Sequence, residues 1–143
     1  MSDAFILTWF PLEYDGAEEQ FLDAVTAGHV TESDWSTGRT TKAIGPGSEI
    51  YLLRQGPEPR GIVAFGTAIS NVFQQSHWDG SGRLANYVDV RWTTAVRRDE
   101  PLALADLKLI APNQHWEPQG SGTRLRGEYA NAVAVLWNAH RLK

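Results

Sequence analysis

Cysteine is absent from this chain of 143 residues. That excludes disulfide staples, thiolate metal ligands and a cysteine nucleophile, and it leaves the compartment undecided. A basic leader is also missing: the first apolar run covers only residues 4–7, so no secretory signal is expected. No stretch approaches the ~20 apolar residues of a membrane span. The chain therefore reads as soluble and cytoplasmic. Histidine is sparse, and His29, His77, His115 and His140 are scattered without the i, i+4 spacing of a helical zinc site. The Ser/Gly turns "GSGRLA" and "GSGTRL" lack the Lys-Ser/Thr of a phosphate-binding loop, and no Gly-x-Ser-x-Gly elbow occurs. Asp79, Asp89 and Asp106 offer partners for His77 or His115, but any chain of this size allows such pairings. These absences predict a binding module rather than an enzyme, with no catalytic residue, metal or cofactor.

Basic residues are missing from one stretch. Residues 1–34 hold eight acids (Asp3, Glu13, Asp15, Glu18, Glu19, Asp23, Glu32, Asp34) and no lysine or arginine. The remainder carries nine acids against 13 bases, within an overall net charge of −4. Such a split either lets one side meet a polyanion or is ordinary fluctuation in a small chain.

The length suits one domain, over 1–143, and the 42% hydrophobic content can fill a core. Residues 4–9 are an apolar, β-favouring run ended by Pro11 and predict a strand. Residues 17–27 space Phe21, Ala24, Val25 and Gly28 helically, with Glu18 and Glu19 at the positive end of the helix dipole and Gly28 as a cap. Residues 30–46 show no apolar period and read as a long loop. Strands are expected at 49–54, 61–73 and 86–96, and polar loops at 74–85 and 111–122. Because 61–73 is apolar or small on both faces, the sheet should be closed or sandwiched. A short helix is expected at 102–109 and an amphipathic one at 128–140. The sum is an α+β domain on a small barrel-like sheet.

Tryptophan is abundant at six residues. Trp9, Trp92 and Trp137 lie on apolar faces and should be core. Trp35 ("SDWSTG"), Trp78 ("SHWDGSG") and Trp116 ("QHWEPQGSG") instead fall in loops, among small and polar neighbours. A loop indole either plugs its loop onto the barrel or offers a surface for stacking. Three such residues favour a shared aromatic pocket for a flat or methylated ring.

The succession "FILTWFP", "WSTG", "IGPGSEIYLLRQGPEPRGIVAFGTA", "HWDG…YVDVRW" and "QHWEPQGSG" resembles the EVE domain of the PUA-like superfamily. Within it, the chain is most similar to EVE domains that precede HNH nuclease domains in modification-dependent restriction endonucleases. The order also resembles that of YTH domains, readers of methylated adenine in RNA. The resemblance spans 5–136 and implies a PUA-like β-barrel of about five or six strands flanked by helices. It implies a module that flips a modified base, modified cytosine such as 5-methylcytosine in double-stranded DNA, into an aromatic cage. The setting it implies is bacterial restriction against phage.

By position, the resemblance assigns Trp35 and Trp78 to the cage walls and Ser36, Thr37 and Gly38 to the base edge. Tyr87 and Asp89 border the pocket, and Trp116 and Gln119 lie in a loop that differs between EVE and YTH types. Contacts to backbone phosphate are expected from Arg39, Lys42, Arg54, Arg60, Arg83, Arg97 and Arg98, with Arg124 and Arg126 in the same basic part. The acidic segment 13–34 should face away from the pocket except for Asp34, and arginines should rim it. The chain contains no HNH nuclease, so cleavage would need a partner or a fused domain. Other readings stay open: a pocket for a free modified nucleoside, a YTH-like RNA reader, or an assembly module.

Overall fold

The structure, a computed structural model, describes residues 3–14, 16–39, 43–76, 80–118 and 121–143. Its centre is an eight-stranded mixed sheet with the order β2-β6-β4-β3-β1-β8, to which β5 adds against β6 and β7 against β4. The strands are β1 (Ala4–Trp9), β2 (Thr31–Gly38), β3 (Glu49–Arg54), β4 (Gly61–Ala68), β5 (Phe73–Ser76), β6 (Leu84–Ala95), β7 (Leu102–Ala103) and β8 (Thr123–Leu125). Among the described residues the eight strands exceed the five or six expected, because β5, β7 and β8 are short and β2 lies in the stretch 30–46, whose sequence has no apolar period.

β1 and β3 pair in parallel, in register from Ala4↔Glu49 to Trp9↔Arg54. A parallel pair needs a long crossover. Here the crossover carries a π-helical turn at Glu18–Leu22, continued by α1 (Asp23–Thr26), and then β2. The helical segment expected at 17–27 is therefore present, with Phe21, Leu22 and Val25 buried. It ends at Gly28, whose φ of 96° and backbone bond to the Val25 carbonyl make it the expected cap.

Both faces of the central strands are covered, as their two-sided apolar pattern predicts. Phe5, Leu7, Trp9, Ile50 and Leu52 point into one cluster with Phe21, Val88, Val90 and Trp92. Ile6, Tyr51, Leu53 and Ile62 point into a second, roofed by α2 (Leu104–Ile110) and α3 (Ala130–Arg141) through Leu107, Val133 and Trp137. Trp9, Trp92 and Trp137 are all core, and each buried indole N–H has an acceptor: the Tyr14 carbonyl, Ser33 Oγ and Thr94 Oγ1.

The long expected strand at 61–73 breaks after Ala68. There the Ser70 hydroxyl accepts the Asp89 N–H at 3.0 Å, and the chain re-enters the sheet as β5. β4 also bulges at Phe65/Gly66. A Cβ on Gly66 would sit 2.4 Å from the Arg91 carbonyl oxygen, so only glycine lets β6 approach there.

The sheet stays open along its β2 edge rather than closing into the expected ladder-joined barrel, although β2 lies near β1. β2 and β1 are not joined by a ladder. They are joined by the Trp35 indole N–H, which donates to the Thr8 carbonyl at 2.9 Å. The Thr8 N–H in turn donates to Ser121 Oγ at 2.9 Å. Among the described residues no helix is long and apolar enough to cross a membrane.

Candidate functional site

Between β1 and β2, which no ladder joins, the side chains leave a gap. At the β1–β2 seam the gap opens into a concave site of about 380 Å³. The end of β1 and the turn after it supply Thr8, Trp9, Phe10, Glu13 and Tyr14. β2 supplies Asp34, Trp35, Ser36 and Gly38, while Gln20, Tyr87 and Ser121 close the remaining sides.

The turn forms because Pro11 ends the strand, and the N–H groups of Glu13 and Tyr14 both return to the Phe10 carbonyl. Phe10 is left 38% exposed on the rim. β2 alternates in burial: Trp35 and Thr37 are buried, while Asp34, Ser36 and Gly38 between and beside them stay partly exposed. Ser36 stands opposite Tyr87, and Asp34 opposite Asp89.

Gly38 ends β2 with a φ of 63°, and a Cβ there would lie 2.8 Å from the Ser121 carbonyl oxygen. Glycine is needed both for the left-handed backbone and for the close approach of the two loops. Its N–H donates to Ser36 Oγ and its carbonyl accepts from Asn86 Nδ2.

Trp35, Ser36, Gly38 and Tyr87, all singled out in the sequence, come together here. Trp35 is only 7% exposed. Its ring is gripped edge-on by Tyr14 and Phe21 at 5.9 and 5.8 Å, so it is wall and core at once. Tyr87 stacks near Phe73 of β5 at 6.5 Å. Thr37 is fully buried and does not line the site. Asp89 lies on the same sheet face but outside the hollow.

Trp116 is buried in the second core cluster, with its indole N–H on the Ala111 carbonyl at 3.0 Å. It anchors its loop, which is the plug alternative, against a separate hollow of about 260 Å³. Trp78, Gln119 and Lys42 lie outside the described residues.

No described arginine lines the seam site. Arg39 is exposed directly after Gly38. Arg54 is buried: its guanidinium donates to the Arg98 carbonyl at 2.6 Å and lies 5.9 Å from the centroid of the Trp9 ring. Burial first, and then the charge of Arg98, hold its pKa below the ordinary arginine value. Its guanidinium is engaged by the Arg98 carbonyl and the Trp9 ring. Arg97 and Arg98 join Arg54 around a second hollow of about 680 Å³, shared with Glu18, Asp23 and Asp99. Arg60, Arg124 and Arg126 each hold a carboxylate, on Glu58, Asp3 and Glu128, and Arg83 bonds to Ser81.

The acidic segment does not turn wholly away from the pocket, since Glu13 lines it beside Asp34. Sequence reasoning missed Thr8, Phe10, Glu13, Tyr14, Gln20 and Ser121. The one available signal was "FPLEY", two aromatics and an acid around a proline at the end of a buried strand. Among the described residues no cluster of histidines and carboxylates is placed to hold a metal ion.

No protein-family model matches the chain, and no curated protein matches its sequence. Solved structures do match its fold over nearly its whole length. A hypothetical protein from Leishmania major superimposes with a TM-score of 0.63 at 14% identity, covering 97% of each chain. Human THYN1, solved in complex with DNA containing 5-methylcytosine, gives 0.63 at 16% identity, over 94% of this chain and 97% of its own. The YTH-domain protein mmi1, solved in complex with RNA, gives 0.60 at 12% identity, over 96% and 82%. The chain thus has the α+β fold that these solved structures share.

Proposed function

We propose that this chain, as one EVE-like domain over 1–143, reads a modified nucleobase turned out of a nucleic acid into the β1–β2 site. The observation that carries the reading is the seam hollow itself. At about 380 Å³ it lies near the lower end of small-ligand pockets, and it is walled by Trp35, Tyr14, Tyr87 and Phe10. Support comes from the fold it shares with THYN1 bound to methylated DNA. Flipping a base costs a few kcal/mol. Stacking returns ~1–3 kcal/mol per aromatic contact, so two walls offset it. One buried methyl adds only ~0.8 kcal/mol, so selectivity must also come from polar contacts to the base edge. Ser36 and Asp34 stand where such contacts are made.

The base proposed is a modified cytosine in double-stranded DNA, 5-methylcytosine being the simplest. The chain would bind rather than cut, serving in the bacterial cytoplasm as the specificity part of a restriction system whose nuclease is a partner or a fused domain. A screen of matched modified and unmodified oligonucleotides, in DNA and RNA, tests the reading. Equal affinity for all of them would end it. Tighter binding to methylated-adenine RNA would move it to the YTH-like alternative. The two acids in the lining favour a second reading, a site for a free modified nucleoside. That reading is supported if affinity is independent of salt.

A further inference from the structure

The polar groups of the seam site are unevenly matched. Its strong N–H donors are spent on the protein itself. The Trp9 indole donates to the Tyr14 carbonyl at 2.6 Å and the Trp35 indole to the Thr8 carbonyl at 2.9 Å. The Gln20 amide donates to the Asp34 carbonyl at 3.3 Å, and its own oxygen takes the Tyr14 hydroxyl at 2.7 Å.

The charged residues among the described lining are both acids, the exposed Glu13 and the half-buried Asp34. Among the described residues the Asp34 carboxylate takes one side-chain donor, Gln75 Nε2 on Oδ2 at 2.8 Å. Neither acid forms an ion pair among the described residues. Asp89, directly opposite Asp34 on β6, adds a third carboxylate to that face rather than a counter-charge. No lysine or arginine stands among the described lining residues.

A neutral base that seals this hollow strips water from the carboxylates and offers at most one amino group in return. Burying a charge without a partner is costly. A carbonyl edge, as in thymine or uracil, makes matters worse. A cationic ring offsets the carboxylates and is attracted to the faces of the surrounding aromatics as well.

We infer that the site selects a positively charged base, one methylated on a ring nitrogen so that the ring stays protonated and cationic at neutral pH, over its neutral isomer methylated elsewhere. This rests on the nucleobase reading above. A neutral amino group also forms a charge-assisted bond to a carboxylate, so the cation gains by direct charge attraction and by its pull on the ring faces, and about a tenfold preference is expected.

The test uses isomer pairs of equal composition in short single-stranded DNA, where no base pair has to be broken. 3-Methylcytosine is compared with 5-methylcytosine, and 1-methyladenine with N6-methyladenine, each against the unmodified strand. The inference stands if the cationic isomer binds about tenfold tighter in both pairs and the double variant Asp34→Asn, Glu13→Gln brings the ratio close to one. It falls if the neutral isomers bind as well or better, while the nucleobase reading survives because modified strands still bind over unmodified ones. It also falls if the cationic preference persists in the double variant, since the carboxylates are then not its source. If no modified strand binds better than the unmodified one, both readings fall together. Thermal unfolding of the double variant within a few degrees of the parent confirms that a lost ratio is not lost folding.

Discussion

The indole N–H of Trp35 donates to the carbonyl of Thr8, and this side-chain bond links two strands that no β-ladder joins. A ladder would have drawn β1 and β2 together along their whole length. A single indole instead props the strands at one level and leaves the hollow beside it. Stability and the proposed binding therefore meet in one residue.

Trp35→Phe separates the two. It keeps a ring between Tyr14 and Phe21 but leaves the Thr8 carbonyl without its donor. Loss of one partner from a buried hydrogen bond costs ~1–3 kcal/mol, so urea unfolding should show a lowered midpoint. Trp35→Ala removes the ring as well and should cost ~3–5 kcal/mol. If Trp35→Phe unfolds like the parent, the bond does not hold the seam.

Gly38→Ala should destabilise by about 1 kcal/mol or more, because the new Cβ meets both a left-handed backbone and the Ser121 carbonyl. Gly127→Ala is the matched control: a Cβ there meets nothing within 4 Å. It should be neutral or slightly stabilising. Calorimetric melting of the two variants in parallel checks the contrast.

Arg39 and Trp35 should affect DNA binding in different ways. Arg39→Ala should weaken modified and unmodified duplexes alike and reduce the slope of log K against log salt by about one. Trp35→Phe, measured as folded protein, should change selectivity and leave that slope alone. Titrations at several salt concentrations distinguish the two, because phosphate contacts carry affinity without base information.

Alkaline pH should weaken the fold through Tyr51. Burial first, and then the charge of Glu49, push its phenol above the ordinary tyrosine value of 10.0. The folded state therefore holds that proton more tightly than the unfolded chain does. Stability from this source is intact below about pH 10 and is lost as pH rises above it, where only the unfolded chain ionises freely. Tyr51→Phe should flatten the decline between about pH 10 and 12. An unchanged alkaline profile in that variant would show that another group is responsible.

Residues 4–9, 49–54 and the apolar stretch after Gly61 showed in one dimension that they form buried strands, since both of their faces are apolar. The helix at 128–140 showed its buried stripe just as plainly, and Trp92 and Trp137 their place in the core. β2 stayed hidden because its inward positions hold Ser33 and Thr37 beside Trp35. Those hydroxyls count as polar in sequence, and only the fold gives Ser33 the Trp92 indole as a partner. The same limit applied to the site. Trp35, Ser36 and Gly38 are neighbours in the chain and could be read together. Tyr14, Gln20 and Ser121 reach them only because the crossover and the loop before β8 return to the β1–β2 seam. Trp116 matched its loop companions in every local respect, yet the packing against α2 and α3 made it core. Burial is a property of what comes back to cover a residue, and composition and spacing set which residues can be covered, while the tertiary path decides which of them are.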